Sequence, residues 1–158
     1  MSKQPIVPFS ISKWVHVLNN LSIIVILSSI VFVIRIFPTL PDTIPIHYAQ
    51  GEADRWGSKA TIFLLHGFAL LVFVSLYFLS KKPHLFNYPF TITEENAPRI
   101  YSVANLFMTI LNFECVLIFT YLSIDFVGQY SGTWLLITVF AFPLVTIFIF
   151  ILVLTRLK

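Results

Sequence analysis

Four uninterrupted apolar stretches, each about as long as a bilayer is thick, constrain this 158-residue chain more than any other feature. They run from about Val15 to Phe37, Ala60 to Ser80, Ile100 to Leu122 and Thr133 to Thr155. A helix of about 20 residues, rising ~1.5 Å per residue, spans a hydrocarbon core of ~30 Å. In lipid every backbone N–H and C=O must be satisfied within the protein, which leaves helices or closed barrels. None of the four stretches alternates polar and apolar residues as barrel strands do. The expected fold is therefore an all-α integral membrane protein of four transmembrane helices, a single domain over residues 1–158.

Composition agrees. Charged residues make up 11% of the chain and the mean hydropathy is +0.89, whereas a soluble domain carries about 25% charge. That excludes a soluble globular enzyme, a disordered chain and a nucleic-acid binder. The main partner is the lipid bilayer. The lone cysteine, Cys115, lies inside an apolar run and has no second cysteine to pair with. The first stretch has a basic flank like a signal peptide's. Its length, and Arg35, Phe37 and Pro38 after it, instead favour a retained helix.

Orientation follows the basic residues. Lys3, Lys13, Lys81, Lys82, Arg99, Arg156 and Lys158 fall on one side, and Arg35, Arg55 and Lys59 on the other. The excess places both termini in the cytoplasm, with Pro38–Lys59 and Ser123–Gly132 outside. The spans are joined by short connections, so neighbours should pack antiparallel. Pro143 should bend the fourth helix. The expected location is a bacterial plasma membrane, crossed several times.

The outer segment Leu40–Lys59 differs in composition from the rest. Pro41 and Pro45 disfavour helix. Ile44, Ile46 and Tyr48 alternate with Pro45 and His47, and Gln50-Gly51 signals a turn. A short extended element or hairpin is expected, with Trp56 at the membrane–water interface and a cap near Ser58. His47, Glu52 and Asp54 are three side chains able to hold a divalent metal, although their spacing is no established metal pattern. Salt bridges from Asp54 to Lys59 or Arg55, and a bond from His47 to a backbone carbonyl, would instead make the loop purely structural. No other cofactor is indicated. HExxH, GxSxG and phosphate-binding glycine loops are absent from the sequence, so an enzyme is the less favoured class.

Leu40, Pro41, Ile44, Pro45, His47, Tyr48, Gly51, Asp54, Gly57, Ser58 and Lys59 together resemble the bacterial family called domain of unknown function 1648. The stretch Asn87–Phe107, with I-T-E-E-N-A at its centre, is similar to that family's cytoplasmic segment. A related domain forms the N-terminal part of SdpI-type immunity proteins, which protect a bacterium from its own secreted toxin. The resemblance thus implies a membrane protein with a peptide or toxin ligand.

Two further signals lie nearer the membrane. Thr93, followed by Glu94, Glu95 and Asn96, reads as a helix N-cap with an acidic first turn, although without a full capping box. Ser102, Asn105, Thr109 and Asn112 fall on one helical face and can bind helices together. Glu114 lies ~160° around from Asn112 at ~100° per residue and needs another partner. By depth it matches His66, which suggests one outward-facing polar pocket of Glu114, His66 and Lys59 beneath His47 and Asp54, with Arg35 at its rim. Three functions fit: a protein binding or sensing a ligand at the outer face, such as an immunity or envelope-stress factor; a metal-dependent membrane enzyme; and a small transporter or transporter subunit, which with four helices requires a homo-oligomer.

Overall fold

A computed structural model of the protein describes residues 4–49, 52–128 and 133–157. Its elements in chain order are α1 (Lys13–Ile36), β1 (Thr43–Ala49), β2 (Glu52–Ser58), α2 (Ile62–Ser80), α3 (Ala97–Gly128) and α4 (Thr133–Arg156). With their flanking turns, Lys13–Thr39, Lys59–Ser80 and Ala97–Asp125 are long and apolar enough to cross a membrane. In α4 the described apolar part, Phe140–Arg156, is shorter. The chain is a multi-pass membrane protein by this measure.

The helix ends have local causes. Ser12 caps α1, its Oγ accepting from the Trp14 N–H at 3.3 Å. Pro38 then turns the chain through a single 3-10 turn. At the start of α3, Thr93 Oγ1 accepts from the Asn96 N–H at 3.3 Å, while Asn96 Oδ1 accepts from the Thr93 N–H at 2.9 Å. This is the reciprocal geometry of a capping box, with asparagine replacing the usual glutamate. The Ala97 N–H already bonds the Thr93 carbonyl at 2.9 Å; Pro98, next in line, has no N–H to offer the Glu94 carbonyl one residue on. The expected end of the third span at Leu122 is corrected: α3 continues to Gly128. Ser123 Oγ–H and Tyr121 O–H each find acceptors along that helix, Phe119 O and Asp125 Oδ1. Polar residues there do not end it.

α3 packs against each of the other three helices. Through the middle of the α1–α2–α3 bundle, buried positions recur in steps of three, four or seven. They are Val15, Ser22, Ile26, Ser29 and Val33 on α1; Ile62, His66, Ala69 and Phe73 on α2; and Asn105, Thr109, Asn112 and Val116 on α3. This is the spacing of left-handed helix packing. Ile26, Phe73 and Val116 meet in one layer. Because lipid is as apolar as a leucine side chain, such helices associate through close packing and interhelical hydrogen bonds. Asn105 Nδ2 donates to the Ser80 carbonyl at 2.9 Å and Asn112 Nδ2 to the Phe73 carbonyl at 3.1 Å. The polar face seen in the sequence therefore faces α2 and binds it. Thr109 and Ser102 bond within α3.

α4 lies outside this trio. Its contacts with α3 include a stacked Phe107–Phe150 pair with centroids 3.8 Å apart, and Leu154 packed with Ala97, Ile100 and Tyr101. The Arg99 guanidinium donates to the Leu157 carbonyl at 2.8 Å. At the same end the N-terminal segment lies over α3, with the Tyr101 hydroxyl donating to the Pro5 carbonyl at 2.8 Å.

Asn112→Ala should weaken the bundle by about 0.6 kcal/mol, and by no more than about 1.7, in reversible unfolding from mixed micelles. Ser102→Ala, whose hydroxyl bonds only its own helix, should leave the midpoint unmoved.

Candidate functional site: the outer hairpin

The extended segment expected at Leu40–Lys59 is a two-stranded antiparallel hairpin. Gln50 and Gly51, read as its turn, lie outside the described residues. Thr43, Ile44 and Pro45 pair with Ser58, Gly57 and Trp56. Ile44 is 2% exposed and Pro45 is buried, so this end of β1 is seated on the helices, where it packs against α3. Gly57 has a packing reason: a Cβ there would stand 2.9 Å from Ile46 Cδ1 and 3.0 Å from its Cγ2.

Beyond Pro45 the register shifts. His47 pairs with Arg55 and Tyr48 with Ala53, leaving Ile46 and Asp54 out of step. In the register set by Ile44–Gly57 and Pro45–Trp56, and resumed by Tyr48–Ala53, His47 stands opposite Asp54, and the two side chains meet despite the local irregularity at His47. His47 Nδ1 and Asp54 Oδ1 are 2.6 Å apart, with the side chains 56% and 41% exposed. Of the bonds expected for the loop, then, Asp54 takes neither Lys59 nor Arg55, and His47 takes a carboxylate rather than a carbonyl. The hydrogen bond from His47 is the main cause holding the Asp54 carboxyl below its ordinary 3.8; the charges of His47 and Arg55 add to it and desolvation opposes it.

Lys59 closes the base of the hairpin. Its Nζ donates to the Leu40 carbonyl at 3.1 Å, pairs with Asp42 Oδ1 at 3.2 Å and lies 5.2 Å from the Phe37 ring centre. Its own N–H donates to the Asp42 carbonyl at 3.0 Å. The end of α1 is thereby tied to the start of α2. Asp42 is 97% exposed, so that ion pair contributes little by itself. The bond to the Leu40 carbonyl and the ammonium over the Phe37 ring matter more. Ser58 Oγ accepts from the Ala60 N–H and caps the entry to α2 as expected. Glu52 is exposed and forms no bond with His47 or Asp54. Among the described residues, no three His, Cys, Asp or Glu side chains gather closely enough to hold a metal ion. Arg35 is exposed in the last turn of α1, where a cation suits the helix C-terminus.

The expected pairing of His66 with Glu114 is not formed. His66 is 6% exposed, and its Nδ1–H donates to the Ile62 carbonyl at 3.1 Å. Glu114 turns to α4, where the Thr146 hydroxyl donates to Oε1 at 2.6 Å. The reason is angular. Asn112 faces α2, so a residue ~160° away on the same helix cannot also face α2. Matching depth does not overcome that. Sequence reasoning missed Thr146 as the partner and missed Asp125, which is 6% exposed and accepts from the Tyr121 hydroxyl at 3.4 Å. The signal for Asp125 was its place eleven residues after Glu114, on the same helical face.

Residues 23–78 match the model of the family described as "Domain of unknown function (DUF1648)". The matched part runs from within α1 through the hairpin to near the end of α2, and the chain is consistent with membership of that family. This bears out the resemblance carried by Leu40–Lys59; Asn87–Phe107 lies beyond the matched residues. No curated protein and no solved structure matches the chain.

The Asp54 carboxyl is lowered in the folded hairpin, so its bond stabilises the hairpin fully above pH 3.8 and is lost as pH falls through the lowered value. A carbon-13 titration should give Asp54 a midpoint below 3.8. His47→Ala should bring it back to about 3.9; a midpoint unmoved by that change would count against the bond.

Lys59→Met keeps the apolar stem and removes the ammonium. Trypsin should then cleave at Arg55 several-fold faster than in the parent chain, because the base of the hairpin is no longer tied. Equal cleavage rates would show that Lys59 does not hold it.

Proposed function

We propose that the protein crosses the membrane four times with both termini in the cytoplasm, and that it recognises a ligand at its outer face through the hairpin. The observation that carries this reading is the His47–Asp54 pair, a bond held in the open on a hairpin tied at its base. In so apolar a chain, polar side chains held in place at a surface mark a binding element, since loops positioned by a rigid scaffold commonly carry recognition. Trp56, 59% exposed, adds an aromatic contact beside them. Binding fits better than catalysis. Both members of the pair are substantially exposed, and preorganised charges act strongly on a reaction only where water is excluded. Protection against a secreted peptide toxin is the form of this reading that the family resemblance suggests. Envelope-stress sensing is the other.

Topology and recognition are separately testable. With Cys115 replaced by serine, a cysteine at position 50 should react with a membrane-impermeant maleimide on intact cells. One at position 84 should react only after permeabilisation; the reverse pattern would invert the topology. For recognition, cells expressing the chain should survive several-fold higher concentrations of pore-forming peptides. Asp54→Ala and Lys59→Ala should abolish that protection, while Gln50→Ala and Ala53→Ser keep it. Equal behaviour of all four variants at equal membrane levels would remove the hairpin from the function.

A further inference from the structure

The interface of α3 and α4 holds a carboxyl group that neither the hairpin nor the α1–α2–α3 seam uses. Thr146 donates to Glu114 Oε1, whereas Oε2 is buried and has no hydrogen-bond partner among the described residues. Glu114 stands in the wall of a groove of about 560 Å³, between Ile110, Phe113, Leu117 and Tyr121 of α3 and Phe142 of α4. None of the described residues lining the groove is Lys, Arg or His. Toward the outer end of α3, Tyr121 donates to Asp125, whose Cα lies ~16 Å along the helix axis from that of Glu114. Asp125 lies beyond the groove, so among the described residues lining it Glu114 supplies the carboxyl group and none supplies a basic group.

We propose that this groove binds a lipophilic organic cation, an amine or quaternary onium centre carried on an apolar body. The charged centre lies at Glu114 and the body against Phe113 and Phe142. Three observations select this chemistry. The second oxygen of Glu114 lacks a partner, and only a donor or a positive charge can complete it. The walls are aliphatic and aromatic, and aromatic faces attract cations. An anion would be repelled by Glu114, and a plain acyl chain would fill the walls while leaving Oε2 as it is. In so apolar a surrounding the charge–charge attraction is weakly screened, and the volume lies within the ~300–1,000 Å³ usual for small-molecule sites. The groove is remote in sequence from the hairpin, so the proposal does not depend on hairpin recognition.

The test compares tetraphenylphosphonium with tetraphenylborate, ions of like shape and opposite charge, on the full chain in lipid nanodiscs. Equilibrium dialysis should show saturable binding of the phosphonium and only unsaturable partitioning of the borate. Glu114→Gln should weaken phosphonium binding at least tenfold, and Phe113→Ala several-fold, while Asp54→Asn leaves it unchanged. In a second measurement that needs no variant, dicyclohexylcarbodiimide should label Glu114 of the parent chain, and the phosphonium should protect it. Equal binding of both ions, full binding by folded Glu114→Gln, or labelling that the phosphonium does not slow would each overturn the proposal.

Discussion

The bonds from Asn105 and Asn112 to the carbonyls of Ser80 and Phe73 fix the arrangement on which the rest of the structure depends. In water, burial of apolar side chains would drive α2 against α3. In lipid that driving force is absent, and the angular position of each helix is set by its polar and small residues. Two carboxamides seven residues apart on α3 meet two carbonyls seven residues apart on α2, which aligns the pair antiparallel in a single register. Ser22 and Ser29 bring α1 to the same centre, each hydroxyl bonding its own helix, to Leu18 O and Ile26 O.

That alignment determines where every other polar group can go. With the carboxamide face of α3 committed to α2, Glu114 is directed to the remaining neighbour, α4. There a single hydroxyl meets it, from Thr146, three residues beyond Pro143. The same alignment places His66 in the seam, its ring bonded to its own helix. Glu114 and His66 thus serve different interfaces. α4, held by the Phe107–Phe150 stack, the Leu154 cluster and one hydroxyl, encloses its contacts less completely than the trio does, and the groove beside Glu114 follows from that.

Much of this was legible in the sequence. Lengths of apolar runs predicted four membrane-spanning helices; four helices are present, and among the described residues three are long and apolar enough to cross a membrane. Pro41, Pro45 and the alternation of Ile44, Ile46 and Tyr48 predicted the extended outer segment. The reach of α3 to Gly128 was not legible, because Ser123 and Asp125 look like loop residues until each finds a partner along the helix. The His47–Asp54 bond was missed although the sequence carried it. With Gln50-Gly51 as a two-residue turn, residues equidistant from the turn stand opposite one another and share a face, and His47 and Asp54 are such a pair.

The Glu114 pairing shows where depth reasoning fails. Residues on two helices meet when depth and azimuth both agree, and the sequence supplied the azimuth as well. The stripe Ser102–Asn105–Thr109–Asn112 had already claimed one face of α3, with Glu114 on the other side. α2 and α3 follow one another through a short connection, so the claimed face was to be expected toward α2, and toward His66 with it. A carboxyl on the far face then has only α1, α4, lipid or another molecule to meet. The α1 seam offers Val15, Ser22, Ile26, Ser29 and Val33, whose two hydroxyls bond their own helix. α4 satisfies one carboxyl oxygen and leaves the other bare. An unmatched polar atom is costly in such a medium, and the seam keeps some too, at His66 Nε2, Asn105 Oδ1 and Asn112 Oδ1; what sets Glu114 apart is that its bare oxygen belongs to a residue in the wall of an open groove, where a further molecule has room to meet it.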